Sequence, residues 1–360
     1  MKAIATLALL MGIFVSTCNL AQAAEAAAPA KLRVIATLFP YHDWARIVGG
    51  DRVESTLLLP PGVEAHSFDP TPKDIARMRQ CDIFIYTGPY MEPWAEDLVA
   101  DAARRGVGVV EAGDFVELFA GAEEGHGEEV AAGKGASPHG HDDKGHADHD
   151  DHAHDDHGHG KEADRHGHET SAHHDDDHGH HHGDVDPHIW LEFGNAGKIV
   201  AGIARAFAAK DPQNAQFYAE RAAAYEESLR QLDERYAAGL ANCSRRTIIY
   251  GGHFAFGYAA RRYDLTHVSP YKGFSPNAEP SPRDIAELTR RMKQEGHSHI
   301  FYEEGIDPKV ARVISGETGA GMLLLHGAHN VGRKELDAGV TYLGLMNDNL
   351  ERLRKGLQCR

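Results

Sequence analysis

The sequence has 360 residues, of which 42% are hydrophobic, and a formal net charge of −17. This length and apolar content suffice for two domains with buried cores. Residues 121–186 hold 19 Asp and Glu against 4 Lys and Arg, which leaves a charge of only −2 for the rest of the chain. The sequence has no basic patch or arm, so composition argues against a nucleic-acid-binding protein.

Residues 1–23 have the pattern of an export signal. Lys2 supplies a positive start, residues 3–15 are apolar, and residues 21–23 form a small-residue cleavage site. The apolar run is too short to span a bilayer, so we expect a soluble mature protein in the periplasm. The residues before Cys18 match a lipoprotein box poorly, and we expect no lipid anchor there.

Strands and helices alternate in the region that follows. The predicted strands are 32–38, 53–59, 83–87 and 107–111, and the predicted helices are 43–48, 71–79 and 92–104. This alternation predicts an α/β fold with a parallel sheet. Ligands of such sheets bind at the carboxyl ends of the strands, where Glu64 and His66 follow the second strand.

A histidine-rich stretch at residues 121–186 interrupts this pattern and contains seventeen of the 26 histidines. It has too few apolar residues to offset the entropy of ordering, so we expect a solvated loop. Imidazole and carboxylate groups bind divalent metals such as zinc, and this loop therefore predicts accessory metal binding. The alternative is a charge run without a ligand. The predicted accessory ligands are His152, His154, His157, His159, His178, His180, His181 and His182.

The second half of the chain repeats the alternating plan after a long amphipathic run at 212–240. Its predicted strands are 247–250, 266–269, 299–303 and 322–325, and its predicted helices cover 254–263, a segment starting at 281, and 342–357. We therefore expect four parts. These are the signal at 1–23, an N-terminal (β/α) lobe at 31–211 that includes the loop 121–186, a linking helix at 212–241, and a C-terminal (β/α) lobe at 242–360.

Export makes disulfide bonds possible. Cys243 and Cys359 both lie at polar edges of the last lobe, and we predict a bond between them. Cys81 begins a buried-looking strand and is predicted to be a small core residue. The alternative is three free thiols.

Four histidines, His66, His188, His253 and His326, stand where strands or their loops end. Each one alone is more often a hydrogen-bonded structural residue than a metal ligand. Four of them, in a chain that also has a histidine-rich loop, predict a metal site between the lobes.

Several motifs together carry a family resemblance over essentially the whole mature chain. They lie at residues 62–70, 186–190, 252–258, 279–282 and 342–350. With them the chain resembles the zinc-type, ZnuA-like cluster A-I metal-binding proteins of bacterial ABC importers. The resemblance implies two lobes with parallel sheets, a long rigid joining helix and a metal in the cleft. It also implies capture of Zn²⁺ by a monomer and its delivery to a permease driven by a cytoplasmic ATPase.

The family's ligand positions carry over to His66, His188 and His253. The fourth family position is usually Asp, and here the corresponding stretch offers His326, which we predict as the fourth ligand. Glu64 or water, and then His329, are the alternatives. A nitrogen-rich, roughly tetrahedral set favours zinc over manganese, although copper and nickel also bind imidazole.

Three other functions compete with zinc import. A manganese or iron importer subunit belongs to the same class, and a periplasmic zinc buffer or chaperone needs no transporter. A zinc hydrolase, with Glu64 as its base, would keep an open metal position. The sequence has no His-Glu-x-x-His helix and no nucleophile motif, so we expect a protein that is not an enzyme.

Overall fold

Parallel strands with helices packed on them make up most of the computed structural model. The model describes residues 30–119, 185–273 and 279–360. The described residues have the α/β fold that the alternation of strands and helices predicted, in which two sets of parallel strands follow one another along the chain.

Chain contacts divide the protein into two units. The first consists of residues 1–121 together with 182–360, and the second of residues 122–181. The second unit lies outside the described residues, and so does the predicted export signal at 1–23. The predicted accessory histidines of the loop belong to the same undescribed part of the chain.

The first sheet has four parallel strands in the order β2-β1-β3-β4. They are β1 (Leu32–Ala36), β2 (Val53–Leu57), β3 (Ile83–Tyr86) and β4 (Gly108–Glu111). Helices α1 (Phe39–Gly49), α2 (Pro72–Met78) and α3 (Glu96–Arg104) connect them. Helix α2 begins as the sequence predicts, because Thr71 precedes Pro72, the first helical residue, and forms a capping box with Asp74.

Two long helices follow the histidine-rich region. Helix α4 spans Phe193–Lys210 and helix α5 spans Ala215–Leu240. The predicted run from 212 starts with a short 3₁₀ turn, Pro212–Asn214, so the α-helix begins three residues later than expected. The buried residues of both helices belong to one large apolar core that also receives Trp44.

The second set of strands is also parallel. Strands β5 (Thr247–Ile249) and β6 (Thr266–Val268) pair, as do β7 (His299–Tyr302) and β8 (Gly321–Leu324). A single bridge between Tyr250 and Phe301 joins the two pairs in the order β6-β5-β7-β8. The helices of this part are α6 (Gly257–Arg262), α7 (Pro282–Glu295), α8 (Lys309–Thr318), α9 (Arg333–Asp337) and α10 (Tyr342–Gly356).

Two features of this second part differ from the prediction. Helix α6 was expected from residue 254 but begins at Gly257, because the preceding residues form the loop that carries His253. Helices α8 and α9 were not predicted, although α8 buries Ala311 and Ile314 at helical spacing. Short helices of this kind give a weak periodic signal.

The predicted cysteine arrangement is present in the structure. Cys243 and Cys359 form a disulfide bond across a separation of 116 residues, and Cys81 is a buried free thiol. The bond ties the end of α5 to the end of α10. A loop of this length corresponds to about 4–5 kcal/mol of stabilisation in the chain-entropy model.

Among the described residues, none of the helices combines the length and the apolar character that crossing a membrane requires.

Candidate metal centre

Four histidines from four separate loops converge in the first unit. Each of these histidines offers one ring nitrogen, and the four nitrogens all lie within 4.8 Å of one another. The residues are His66, His188, His253 and His329. His66 follows β2, His253 follows β5 and His329 follows β8, so three of them stand beyond the carboxyl ends of parallel strands.

The four imidazole rings are nearly equidistant. Their six centroid separations all fall between 5.0 and 5.8 Å. Four points with six similar separations form a tetrahedron. Four imidazoles that bind one ion through nitrogens at ~2.0–2.1 Å in tetrahedral geometry would place their centroids about 5.2 Å apart. The observed rings therefore fit a tetrahedral four-nitrogen site.

A tight turn positions His66. The Glu64 carboxylate accepts hydrogen bonds from the backbone N–H of His66 at 3.0 Å and from that of Ser67 at 2.9 Å. Glu64 thus shapes the loop through its hydrogen bonds and does not belong to the cluster of possible ligands.

A buried carboxylate orients His188. Oδ1 of Asp186 lies 2.7 Å from Nδ1 of His188 and also accepts the His188 backbone N–H at 3.0 Å. Both residues are fully buried. Because the carboxylate engages Nδ1, it directs Nε2 of the ring toward a metal, which is the common arrangement of histidine ligands.

His253 has a similar carboxylate behind it. Its Nδ1 contacts the carboxylate of Glu303, which also accepts the His253 backbone N–H at 3.3 Å. Gly252 permits this approach, since a Cβ there would lie 2.5 Å from Oε1 of Glu303. Any residue with a side chain at position 252 would therefore collide with the Glu303 carboxylate.

The Glu304 carboxylate holds the fourth ring. Its Oε1 lies 3.4 Å from Nδ1 of His329, and its Oε2 accepts the backbone N–H of Gly327 at 2.8 Å. A Cβ on Gly327 would lie 2.5 Å from Cε1 of His329. The loop before His329 therefore needs a residue without a side chain.

The fourth histidine of the cluster differs from the ligand that was predicted first. His326 is not in the cluster, and His329 takes the place that the sequence analysis gave first to His326 and then to Glu64. The side chain of Asn349 on α10 accepts a hydrogen bond from the backbone N–H of His326 and donates one to its carbonyl, both at 2.8 Å. Nδ1 of His326 accepts a hydrogen bond from the N–H of Ala328 at 3.0 Å. These bonds commit His326 to the turn, and its Nε2 is buried without a hydrogen-bond partner among the described residues.

Burial sets the protonation of the cluster. It lowers the pKa of His66 and of His188 well below the usual value, and the neighbouring histidines add to this effect. Burial also acts to lower the pKa of His329, but the hydrogen bond and charge of Glu304 outweigh it and raise that pKa. Burial raises the pKa of Asp186 to about 7.

Several buried nitrogens of the cluster are available to a ligand. Within the described ranges, Nε2 of His66, of His253 and of His329 is buried with no hydrogen-bond partner. A buried polar atom without a partner is costly, and bound metal would satisfy all three. These nitrogens match the donors that a tetrahedral zinc ion takes.

Trp190 ties two ligand segments together. Its fully buried indole donates from Nε1 to the carbonyl of Gly327 at 2.7 Å. The ring also lies edge-on to His188 and His329, with centroids 5.5 and 5.3 Å away. One side chain therefore sets the distance between the segment that follows Asp186 and the loop that follows β8.

Sequence reasoning did not identify Glu303 and Glu304 as part of the site. A usable signal was present, because two consecutive carboxylates, Glu303 and Glu304, stand at the carboxyl end of the predicted strand 299–303. Carboxylates at the carboxyl end of a parallel strand, beside candidate histidine ligands, are expected to orient those ligands.

Taken together, the fold and the centre define a class of protein. Two sets of parallel strands present their loops to one centre of four imidazoles, with three carboxylates behind the rings. This is a two-lobe α/β protein with a candidate site for a divalent metal.

Comparison with known families agrees with this class. The family model described as "ZnuA: Zinc-uptake complex component A periplasmic" matches residues 34–356. The chain therefore belongs to the ZnuA family, as its motifs indicated.

Individual relatives differ in how much of their length this chain covers. The "High-affinity zinc uptake system protein ZnuA" of Bacillus subtilis (strain 168) is 31% identical over 327 residues, which is 91% of this chain and 88% of the relative. The "Zinc-binding lipoprotein AdcA" of Streptococcus pneumoniae (strain R6) is 30% identical over 349 residues, or 97% of this chain. The chain spans only 58–60% of the length of such streptococcal relatives.

A solved structure shares the fold. The Zn(II)-bound ZnuA-like domain of Streptococcus pneumoniae AdcA superposes with a TM-score of 0.67 at 26% identity, covering 91% of this chain and 99% of that domain.

The choice between His329 and His326 can be tested by substitution. We expect His329→Ala to weaken the tightest Zn²⁺ site by more than about a hundredfold, since loss of a ligand should exceed the 10–100-fold typical of a residue that only supports one. His326→Ala is the matched control and should retain that site. Competition with a chromophoric chelator measures both affinities, and the reverse pattern would return His326 to the fourth position.

Proposed function

We propose that this protein captures Zn²⁺ through His66, His188, His253 and His329 and delivers it to an ABC permease driven by a cytoplasmic ATPase. The observation that carries the proposal is the near-tetrahedral set of four rings, with centroids 5.0–5.8 Å apart. Membership of a family described by zinc uptake supports delivery to a transporter.

The donor set favours zinc over the metals of the competing importers. Manganese prefers oxygen donors and tolerates six-coordination, whereas a closed set of four imidazoles suits a tetrahedral ion. No carboxylate oxygen belongs to the cluster in the part of the chain that is described. The carboxylates instead stand behind the rings, where they offset the charge of a divalent cation.

A closed site also favours capture over catalysis. Catalytic zinc keeps one position for water or substrate, whereas four protein ligands fill a tetrahedral shell. The hydrolase hypothesis uses Glu64 as its general base. The Glu64 carboxylate, however, accepts hydrogen bonds from the backbone N–H groups of His66 and Ser67. We therefore propose a binding protein that is not an enzyme. A transporter-independent zinc buffer could use the same centre, and the family's description favours uptake.

We propose that the protein acts in the periplasm as a monomer, after loss of residues 1–23. The lobes would divide at the boundaries given by the sequence, 31–211 and 242–360, with 212–241 as the link. That Cys18 carries no lipid stays a prediction, since one of the relatives is named a lipoprotein.

We further propose an accessory role for residues 121–183, since Asp186, at the end of the predicted loop, is buried beside His188. Their imidazoles and carboxylates would collect zinc at several weaker sites, among them His152, His154, His157, His159, His178, His180, His181 and His182.

Zinc binding should stabilise the fold. Because the four ligands come from distant parts of the chain, binding requires the folded state and should add about 2.7 kcal/mol to the free energy of unfolding at a hundredfold excess of free zinc over Kd. Thermal melts in a metal buffer that holds free Zn²⁺ at this excess measure the stabilisation as a rise in Tm. Mn²⁺ at the same concentration is the control and should give a smaller shift, and a larger shift with Mn²⁺ would favour a manganese importer.

Removing the histidine-rich segment should separate the two kinds of site. We expect deletion of residues 121–183 to lower the total zinc stoichiometry while the tightest site keeps its affinity, because its ligands lie outside the deletion. Equilibrium dialysis with metal analysis gives both values. An unchanged stoichiometry would contradict the accessory role.

A further inference from the structure

The two described ends of the chain that flank the histidine-rich region meet beside the metal centre. The backbone N–H of Asp186 donates to the carbonyl of Phe119 at 3.2 Å, although 67 positions of sequence separate them. Asp186 is the residue whose carboxylate orients His188. The closure at Phe119 and Asp186 therefore lies two residues from a proposed ligand.

Tyr258 on α6, in the second part of the fold, forms hydrogen bonds with the backbone of both chain ends. Its hydroxyl donates to the carbonyl of Asp186 at 3.0 Å and accepts the backbone N–H of Phe119 at 3.4 Å. Its ring packs on Phe119 with centroids 4.1 Å apart, and the side chain is 6% exposed. A single buried hydroxyl thus bonds to both chain ends.

The first residue of α6, Gly257, contacts the side chain of Asp186. Oδ2 of Asp186 packs against Gly257, where any Cβ would overlap the carboxylate. Oδ1 faces His188. Backbone and side chain of Asp186 are therefore fixed by two consecutive residues, Gly257 and Tyr258, and little freedom remains for the carboxylate that orients the ring.

We propose that Tyr258 is a positioning residue of the zinc centre, which fixes Asp186 through its backbone and thereby the ring of His188. The inference rests on the proposed function, because it concerns zinc affinity at the same site. The hydroxyl of Tyr258 bonds to the backbone of Asp186 and Phe119 and acts on His188 through Asp186. Outer partners of histidine ligands contribute to affinity because a ring already held in its binding orientation pays no ordering cost.

Tyr258→Phe removes one oxygen and keeps the ring that packs on Phe119. We expect it to weaken zinc binding by about tenfold, at the lower end of the effects of outer partners. Tyr263→Phe is the matched control. Tyr263 lies at the end of the same helix, is 8% exposed, and donates its hydroxyl to Asp233 at 2.7 Å, away from the centre. It should change zinc affinity less than about twofold.

A double variant tests whether Tyr258 acts through Asp186. Asp186→Ala alone should weaken zinc binding by about 10–100-fold because it removes the contact with Nδ1 of His188, and adding Tyr258→Phe to it should cause little further loss. Chelator competition supplies the four affinities of this cycle. Unchanged affinity in Tyr258→Phe, an equal loss in Tyr263→Phe, or losses that simply multiply would each overturn the proposal.

A measurement without metal separates this proposal from the proposed function. The Nδ1 proton of His188, which faces Asp186, should give an NMR resonance that shifts or exchanges faster in Tyr258→Phe but not in Tyr263→Phe. If the wild-type protein bound no zinc tightly, the proposed function would fail, and this resonance would still decide the role of Tyr258. An unchanged resonance would refute the positioning role.

Discussion

The contact between a buried carboxylate and the Nδ1 side of an imidazole is the interaction on which this centre depends. Three of the proposed ligands make a contact of this kind, His188 with Asp186, His253 with Glu303, and His329 with the partly buried Glu304, whose Oε1 also lies 3.3 Å from Nδ1 of His326. Buried carboxylates are costly without partners, and clustered imidazoles are costly to protonate. A divalent cation relieves both conditions, because it supplies positive charge to the carboxylates and a partner to the inward-facing nitrogens.

The fold makes this arrangement possible by bringing distant loops to one point. His66 lies in the loop after β2 of the first sheet, whereas His253 and His329 follow β5 and β8 of the second set of strands. Trp190 then joins the remaining ligand segment to the loop at Gly327, and Tyr342 on α10 donates its hydroxyl to the carbonyl of Trp190. Satisfied buried hydrogen bonds of this kind rigidify the loops that they join.

Much of this architecture was predictable from periodicity and turn chemistry. The alternation of strands and helices predicts the parallel plan, the cap at Thr71 predicts the start of α2, and the positions of His66 and His253 follow from the strand ends. His188 was predicted from the motif at residues 186–190. The preference for His329 over His326 in the cluster was not predictable. His326 and His329 share one loop, and the choice between them depends on Asn349, which is distant in sequence and holds the backbone of His326. Tertiary hydrogen bonds of that kind leave no local pattern.

The same reasoning explains why Glu303 and Glu304 were not recognised. Each is an ordinary acidic residue in a loop until its partner, His253 or His329, is brought to it by the packing of β5 and β8 around β7. Sequence gives the donor types that a metal needs, whereas the residues that orient those donors emerge only when the strands are placed side by side.

The central claim is that one zinc ion has four imidazole ligands. X-ray absorption at the zinc edge, on full-length protein with half an equivalent of Zn²⁺ so that the tightest site fills first, tests it most directly. The account predicts four nitrogen neighbours at ~2.0–2.1 Å with multiple scattering from four imidazole rings. Fewer than four rings, oxygen neighbours from a carboxylate, or five or six neighbours would contradict it.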